Sequence, residues 1–214
     1  GLKWYPIGNT LAILTGYGAT VLVIAALTNL GGEGGFKGAV INLLGDFFES
    51  RLSVSETAQS ALVNRTVNFF PGVAVAGWLL LVTVNAVLAQ ALLARRGLQV
   101  RPTPHYAQLC APEWLYWALA AAAVLILVGG EQIAFLGRNL AIVFAVPFFF
   151  IGLGVIHLLM RNFPMPILAL SAFYIFITVL GWPMVAVAAL GFFEQWAGFR
   201  VKYGGLANDI EEEK

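Results

Sequence analysis

The sequence predicts an all-α fold, a polytopic membrane helix bundle of about six transmembrane helices with an outer amphipathic helical segment. Three observations predict it. Six apolar stretches, Leu11–Leu30, Val73–Ala94, Trp114–Gly129, Leu140–Met160, Pro166–Leu180 and Met184–Trp196, fill about half of the 214 residues. A helix rising 1.5 Å per residue needs roughly 20 residues to cross a hydrocarbon core of about 30 Å, and fewer where the bilayer thins or flanking side chains snorkel. Only 11% of the residues are charged and 60% are hydrophobic, where a soluble domain carries about 25% charged residues, so too little polar surface exists to clothe a water-soluble globule. Finally, the arginines and lysines of the loops fall on alternate sides of the bundle. The expected organisation is a single integral membrane domain over residues 1–214, with 31–70 as an extracytoplasmic amphipathic segment and 203–214 as a flexible acidic tail.

Leu11–Leu30 lacks the short apolar core and small-residue cleavage site of a secretory signal, and reads as a retained span. The chain opens on Gly1 rather than methionine, so upstream residues are expected. Ala12, Gly16 and Thr20 form a small-residue ridge on this span, as Ala118 and Ala122 do on the third, and such ridges let helix backbones approach closely. After Gly31, Gly32, Gly34 and Gly35, the segment Phe36–Ser50 places Phe36, Val40, Leu43, Leu44 and Phe47 on one helical face, with Lys37, Asn42, Asp46 and Glu49 on the other. Ser53 and Glu56 have the spacing of a capping box ahead of a second helix running toward Phe70, and Pro71 suits the first turn of the next span. Two readings of this helical pair stand open: a lid over an outer cavity, or two interfacial helices packed over the bundle.

The second span carries Asn85 near its middle, with Thr83 before it and Gln90 beyond. An intramembrane Asn ordinarily hydrogen-bonds across helices for about 0.6–2 kcal/mol, and Asn85 is expected to be buried helix glue. His157 lies about one turn from the end of the fourth span. Asn85, Gln90 and His157 are the ligand-binding candidates. Gly181, Trp182 and Pro183 break the last apolar run, since proline lacks a backbone donor and tryptophan favours the headgroup level. A tight helical hairpin is the natural reading, and one kinked, strongly tilted span is the alternative.

Placing Lys3, Arg95, Arg96, Arg101, Arg161, Arg200 and Lys202 in the cytoplasm leaves Lys37, Arg51, Arg65 and Arg138 outside, a seven-to-four excess inside. Both termini are therefore expected in the cytoplasm. The net charge of +1 and the absence of a basic stripe exclude nucleic acid as a partner. Membrane lipids are the expected surroundings. No metalloprotease, nucleophile-elbow or phosphate-loop motif occurs, and with one cysteine, Cys110, and two histidines, His105 and His157, no metal, haem or other cofactor and no catalytic residue is expected.

Pro112-Glu113-Trp114 opening one span, Asn139 and Gly152-Leu153-Gly154-Val155-Ile156-His157 in the next, and Gly191-Phe192-Phe193-Glu194-Gln195-Trp196-Ala197-Gly198-Phe199-Arg200 together resemble the YybS-like family of bacterial inner-membrane proteins, a domain of unknown function. The resemblance covers about residues 110–202 and marks Asn139, Gly152, Glu194 and Arg200 as motif positions. It implies a bacterial inner-membrane location. Through that family's distant similarity to the substrate-binding S-components of energy-coupling-factor transporters, it implies a small-molecule binding subunit working with an energising membrane partner. Similarity to a rod-shape membrane protein implies the alternative, a non-catalytic scaffold for cell-envelope or other membrane proteins.

Overall fold

The computed structural model describes residues 7–51, 55–98, 109–161 and 163–204. Lys3, Ser53, Arg101, His105 and the acidic tail beyond Gly204 lie outside the described residues. Among the described residues the chain is helical throughout, without a strand. The helices are α1 (Ile7–Thr28), α2 (Gly35–Arg51), α3 (Glu56–Thr66), α4 (Phe70–Arg95), α5 (Glu113–Val128), α6 (Glu131–Met160), α7 (Pro166–Leu180), α8 (Pro183–Ala197) and α9 (Phe199–Gly204).

Three of these, α1, α4 and α6, are long and apolar enough to cross a membrane unaided. The 16 residues of α5 rise about 24 Å, and the 15 residues of α7 and of α8 about 22 Å each. The α7–α8 break is bent by 117°. At that angle α8 runs partly back along α7, a geometry shared by a broken span and a re-entrant loop. The local chemistry explains the turn. Gly181 closes α7 at a φ of 71°, a conformation open to glycine for want of a Cβ. Pro183 then opens α8, where its missing N–H costs no helical bond.

The described residues form two compact units, to both of which α1, α4 and α6 contribute. The first, drawn from Ile13–Ala86 and Trp114–Phe144, is the Asn139 unit. Its core holds Thr15, Leu79, Leu115, Phe135, Asn139 and Val143, all fully buried. Gly137 brings α6 against α5, since a Cβ there would stand 3.0 Å from the Ala122 carbonyl oxygen. Helix α2 lays Phe36, Val40 and Leu44 inward, and the Phe36 ring meets Phe135 edge-on at 5.5 Å. Leu43 and Phe47, expected on that same face, are instead exposed. The buried stripe follows an i, i+4, i+8 line, which leaves the other two apolar side chains off the packed face. Helix α3 is capped by the Ser55 hydroxyl, which accepts from the Ala58 N–H at 3.4 Å; the capping box expected from Ser53 and Glu56 rests on a residue outside those described. It is tied to α2 by Gln59 Nε2, which donates to the Gly45 carbonyl at 2.9 Å.

The second unit, the described residues of Gly1–Ala12, Val87–Glu113 and Ala145–Lys214, is the Glu194 unit. Its closest contact lies between α6 and α8. A Cβ on Gly152 would overlap the Val187 carbonyl, and one on Gly191 would overlap the Phe148 carbonyl and stand 2.6 Å from the Gly152 nitrogen. The two backbones therefore touch through reciprocal small-residue notches, the form of helix packing that lipid favours because it gains dispersion contacts. Phe148, Ile151, Val155 and Val187 are buried around this contact, and Phe192 meets Phe148 edge-on at 5.4 Å.

Candidate functional site

In the Asn139 unit, α4 opens with Phe70 and Pro71, and its first N–H groups have no partner within the helix. Asn139, fully buried on α6, supplies one from outside: its Oδ1 accepts from the Gly72 N–H at 2.7 Å. The same amide's Nδ2 donates to the Phe135 carbonyl at 2.8 Å and to the Asn68 carbonyl at 3.3 Å. The contact needs glycine at 72, since a Cβ there would stand 2.7 Å from the Asn139 carbonyl oxygen. One side chain thus fixes the start of α4 on α6, with all three polar bonds spent on backbone. At the start of α6, Gln132 Nε2 donates to the Gly34 carbonyl at 2.7 Å and its Oε1 accepts from the Lys37 N–H at 3.4 Å. The Lys37 ammonium pairs with Glu131 at 2.7 Å. These contacts bind α2 through its own first turn. Glu131 faces solvent while Lys37 is half-buried, and an ion pair so hydrated adds little to stability.

An open groove of about 350 Å3 in this unit is lined by Gly16, Ala19, Thr20, Val23, Trp114, Leu140 and Phe144. Its walls are apolar. The Thr20 hydroxyl donates to its own helix, to the Gly16 carbonyl at 2.8 Å.

In the Glu194 unit, Gly198 ends α8 in the left-handed region at a φ of 57°, with its N–H donating to the Glu194 carbonyl. That reversal carries the following backbone past the Glu194 side chain, which is buried. Its carboxylate accepts from the Phe199 N–H at 3.1 Å, the Arg200 N–H at 3.0 Å and the Arg200 Nε at 3.0 Å. Arg200 Nη1 donates to the Leu109 carbonyl at 3.0 Å. Glu194 and Arg200 are thus brought together as a staple between the end of α8, the start of α9 and the segment before α5. His157 is exposed. Its Nδ1 lies 2.8 Å from the Leu153 carbonyl, which can only accept, so Nδ1 carries the proton. In the neutral ring Nε2 is then the acceptor facing the Tyr174 hydroxyl at 3.4 Å.

A family model described as "Predicted membrane protein (DUF2232)" matches residues 40–194. The chain belongs to that family. No curated protein and no solved structure matches this DUF2232 chain significantly. Of the motif positions, Asn139, Gly152 and Glu194 fall inside the family's span and Arg200 lies beyond it. The roles of the first three in this DUF2232 protein are visible as contacts: a tertiary cap, a helix notch and a carboxylate staple.

The ligand candidates fare differently. Asn85 is exposed on α4 and makes no hydrogen bond to the described residues, so it is not the buried interhelical glue that its position suggested. Gln90 is half-buried and bonded elsewhere, and no hydrogen bond joins Asn85, Gln90 and His157 to one another. Among the described residues no group of three or more His, Cys, Asp or Glu side chains could hold a metal ion. Sequence reasoning missed Gln132, whose signal was a polar pair directly ahead of an apolar run, and Tyr174, a hydroxyl in an otherwise apolar helix.

Proposed function

We propose that this DUF2232 protein is a non-catalytic scaffold of the bacterial inner (cytoplasmic) membrane, a single integral domain with both termini cytoplasmic that holds other membrane or cell-envelope proteins. The observation that carries this reading is the fate of the buried polar groups. Among the described residues Asn139 and Glu194 spend their bonds on the chain's own backbone and on Arg200, so neither is left to orient a small molecule, as a ligand site requires. Catalysis has no nucleophile–base pair to draw on among the residues described above.

A second reading is favoured by one feature. The apolar groove beside Gly16 and Trp114 has a volume within the range of ligand pockets, which suits an S-component-like subunit carrying an apolar small molecule for a separate energising partner. Native mass spectrometry on the protein, gently extracted from its own membrane, separates the two. A stoichiometric protein neighbour without a small-molecule adduct is the expected result. A stoichiometric metabolite that is lost when Ala19→Leu fills the groove would replace the scaffold reading by the transport one.

A further inference from the structure

Helix α4 is the least buried of the three long spans, and its broad exposed arc, which also takes in Val73, Val84 and Leu93, has a line of large side chains along its middle. Trp78, Leu81, Asn85, Leu88 and Leu92 recur at intervals of three, four, three and four residues along one continuous helix. Trp78 is 39% exposed, Leu81 66%, Leu88 61% and Leu92 54%, and Asn85 is exposed as well. A mean spacing of 3.5 is the period of a seam that stays in register with a second helix crossing at about 20°.

Asn85 decides what covers the seam. It lies ten residues before Arg95, the last residue of α4, which puts it about 15 Å along the axis from that interfacial end and so near the middle of a core about 30 Å thick. There it has no hydrogen-bond partner among the described residues, and acyl chains offer none. A carboxamide carries both a donor and an acceptor, so its simplest complement is another carboxamide at the same depth. Two copies of one membrane protein are inserted in the same direction and pair about a two-fold axis along the bilayer normal. Each seam residue then faces its own counterpart, leucine on leucine, with Asn85 opposite Asn85.

We propose that α4 is a self-association surface, and that a second copy of this chain docks along the Trp78–Leu92 seam with the two Asn85 carboxamides bonded to each other. Arg95 ends the seam on the aqueous side, where two arginines stay hydrated. A single polar residue within a leucine seam sets register and favours two strands. The proposal goes beyond the scaffold reading, which survives if the chain is monomeric.

The test is cysteine cross-linking of the full chain in native membranes, in a Cys110→Ser background. Homodimers should form from Leu81→Cys, Asn85→Cys and Leu88→Cys, and not from Leu80→Cys, Thr83→Cys or Val87→Cys on other faces. In lipid, by energy transfer between labelled copies, Asn85→Leu should weaken the dimer about three- to thirtyfold, the loss expected for interhelical side-chain bonds, and Asn85→Gln should retain most of it. Absence of homodimers at every position, equal cross-linking on all faces, or adducts to a different protein alone would each overturn the proposal.

Discussion

Gly191→Ala tests the α6–α8 contact most directly. The added methyl would overlap the Phe148 carbonyl oxygen and stand 2.6 Å from the Gly152 nitrogen, where ordinary contacts begin near 3.4 Å. Both neighbours are backbone atoms inside helices and cannot swing away as a side chain would, so the helices must part locally by roughly 1 Å. A gap of 0.5–1 Å forfeits a quarter to a half of each contact's well of about 0.1–0.2 kcal/mol. Spread over roughly 40 atom pairs, about as many as one buried leucine makes, that is about 1–4 kcal/mol. The better helix propensity of alanine returns up to about 1 kcal/mol, leaving a net loss of up to about 3 kcal/mol, the upper end for overpacked cores. Gly77→Ala on α4 is the matched control, because a Cβ there meets nothing within 4 Å, and it should be neutral or stabilising by about 0.5 kcal/mol. Equilibrium unfolding in mixed micelles, with sodium dodecyl sulfate as the denaturant, measures both. A Gly191→Ala protein as stable as Gly77→Ala would refute the notch argument.

Asn139→Leu keeps the branched outline of the side chain but strands the buried Gly72 N–H, so a loss of about 1–3 kcal/mol is expected, together with at least roughly tenfold faster hydrogen exchange at that amide; unchanged exchange would remove Asn139 as the cap of α4. For the orientation, an impermeant thiol reagent applied to intact cells should modify a Glu33→Cys protein in a Cys110→Ser background. Native Cys110, exposed in the fold, should react only after the membrane is opened, and labelling of Cys110 in intact cells would invert the proposed topology.

What could be read from the chain depended on whether one residue type acts locally or through a neighbour. Pro71, Gly181 and Pro183 act locally through a missing donor or a missing Cβ, and the helix boundaries fall where these residues stand. Asn85 shows the opposite case. Its depth follows from counting along the span, but its direction around the axis depends on how α4 packs, and a helix apolar on all sides has no polar face to fix that rotation. Leu43 and Phe47 on α2 turned outward for a related reason: five apolar residues make a stripe wider than the surface available to bury it. Gly152 drew notice through a family resemblance, yet its partner surface at Val187 and Gly191 is a tertiary fact that spacing within α6 does not contain. The Glu194–Arg200 pair, six residues apart, was nearly local, and only the Gly198 reversal between them was needed to bring them together.

The interleaving of the two units bears on the order in which a ribosome delivers them. Every described segment of the Asn139 unit has been synthesised once Phe144 is added, whereas the Glu194 unit combines residues 7–12 with the described residues of Val87–Glu113 and of the chain after Phe144. Gly8, whose Cβ position is filled by the Cys110 carbonyl, meets its neighbour about a hundred residues after it is made, and the α6 notch at Gly152 stays open until Val187 and Gly191 emerge. During elongation the cell therefore holds a membrane protein with one finished half and one unsealed half. That interval is the time at which an insertase or quality-control protease has an unpaired apolar helix face to engage, and nascent chains stalled between Phe144 and Val187 should be its preferred clients.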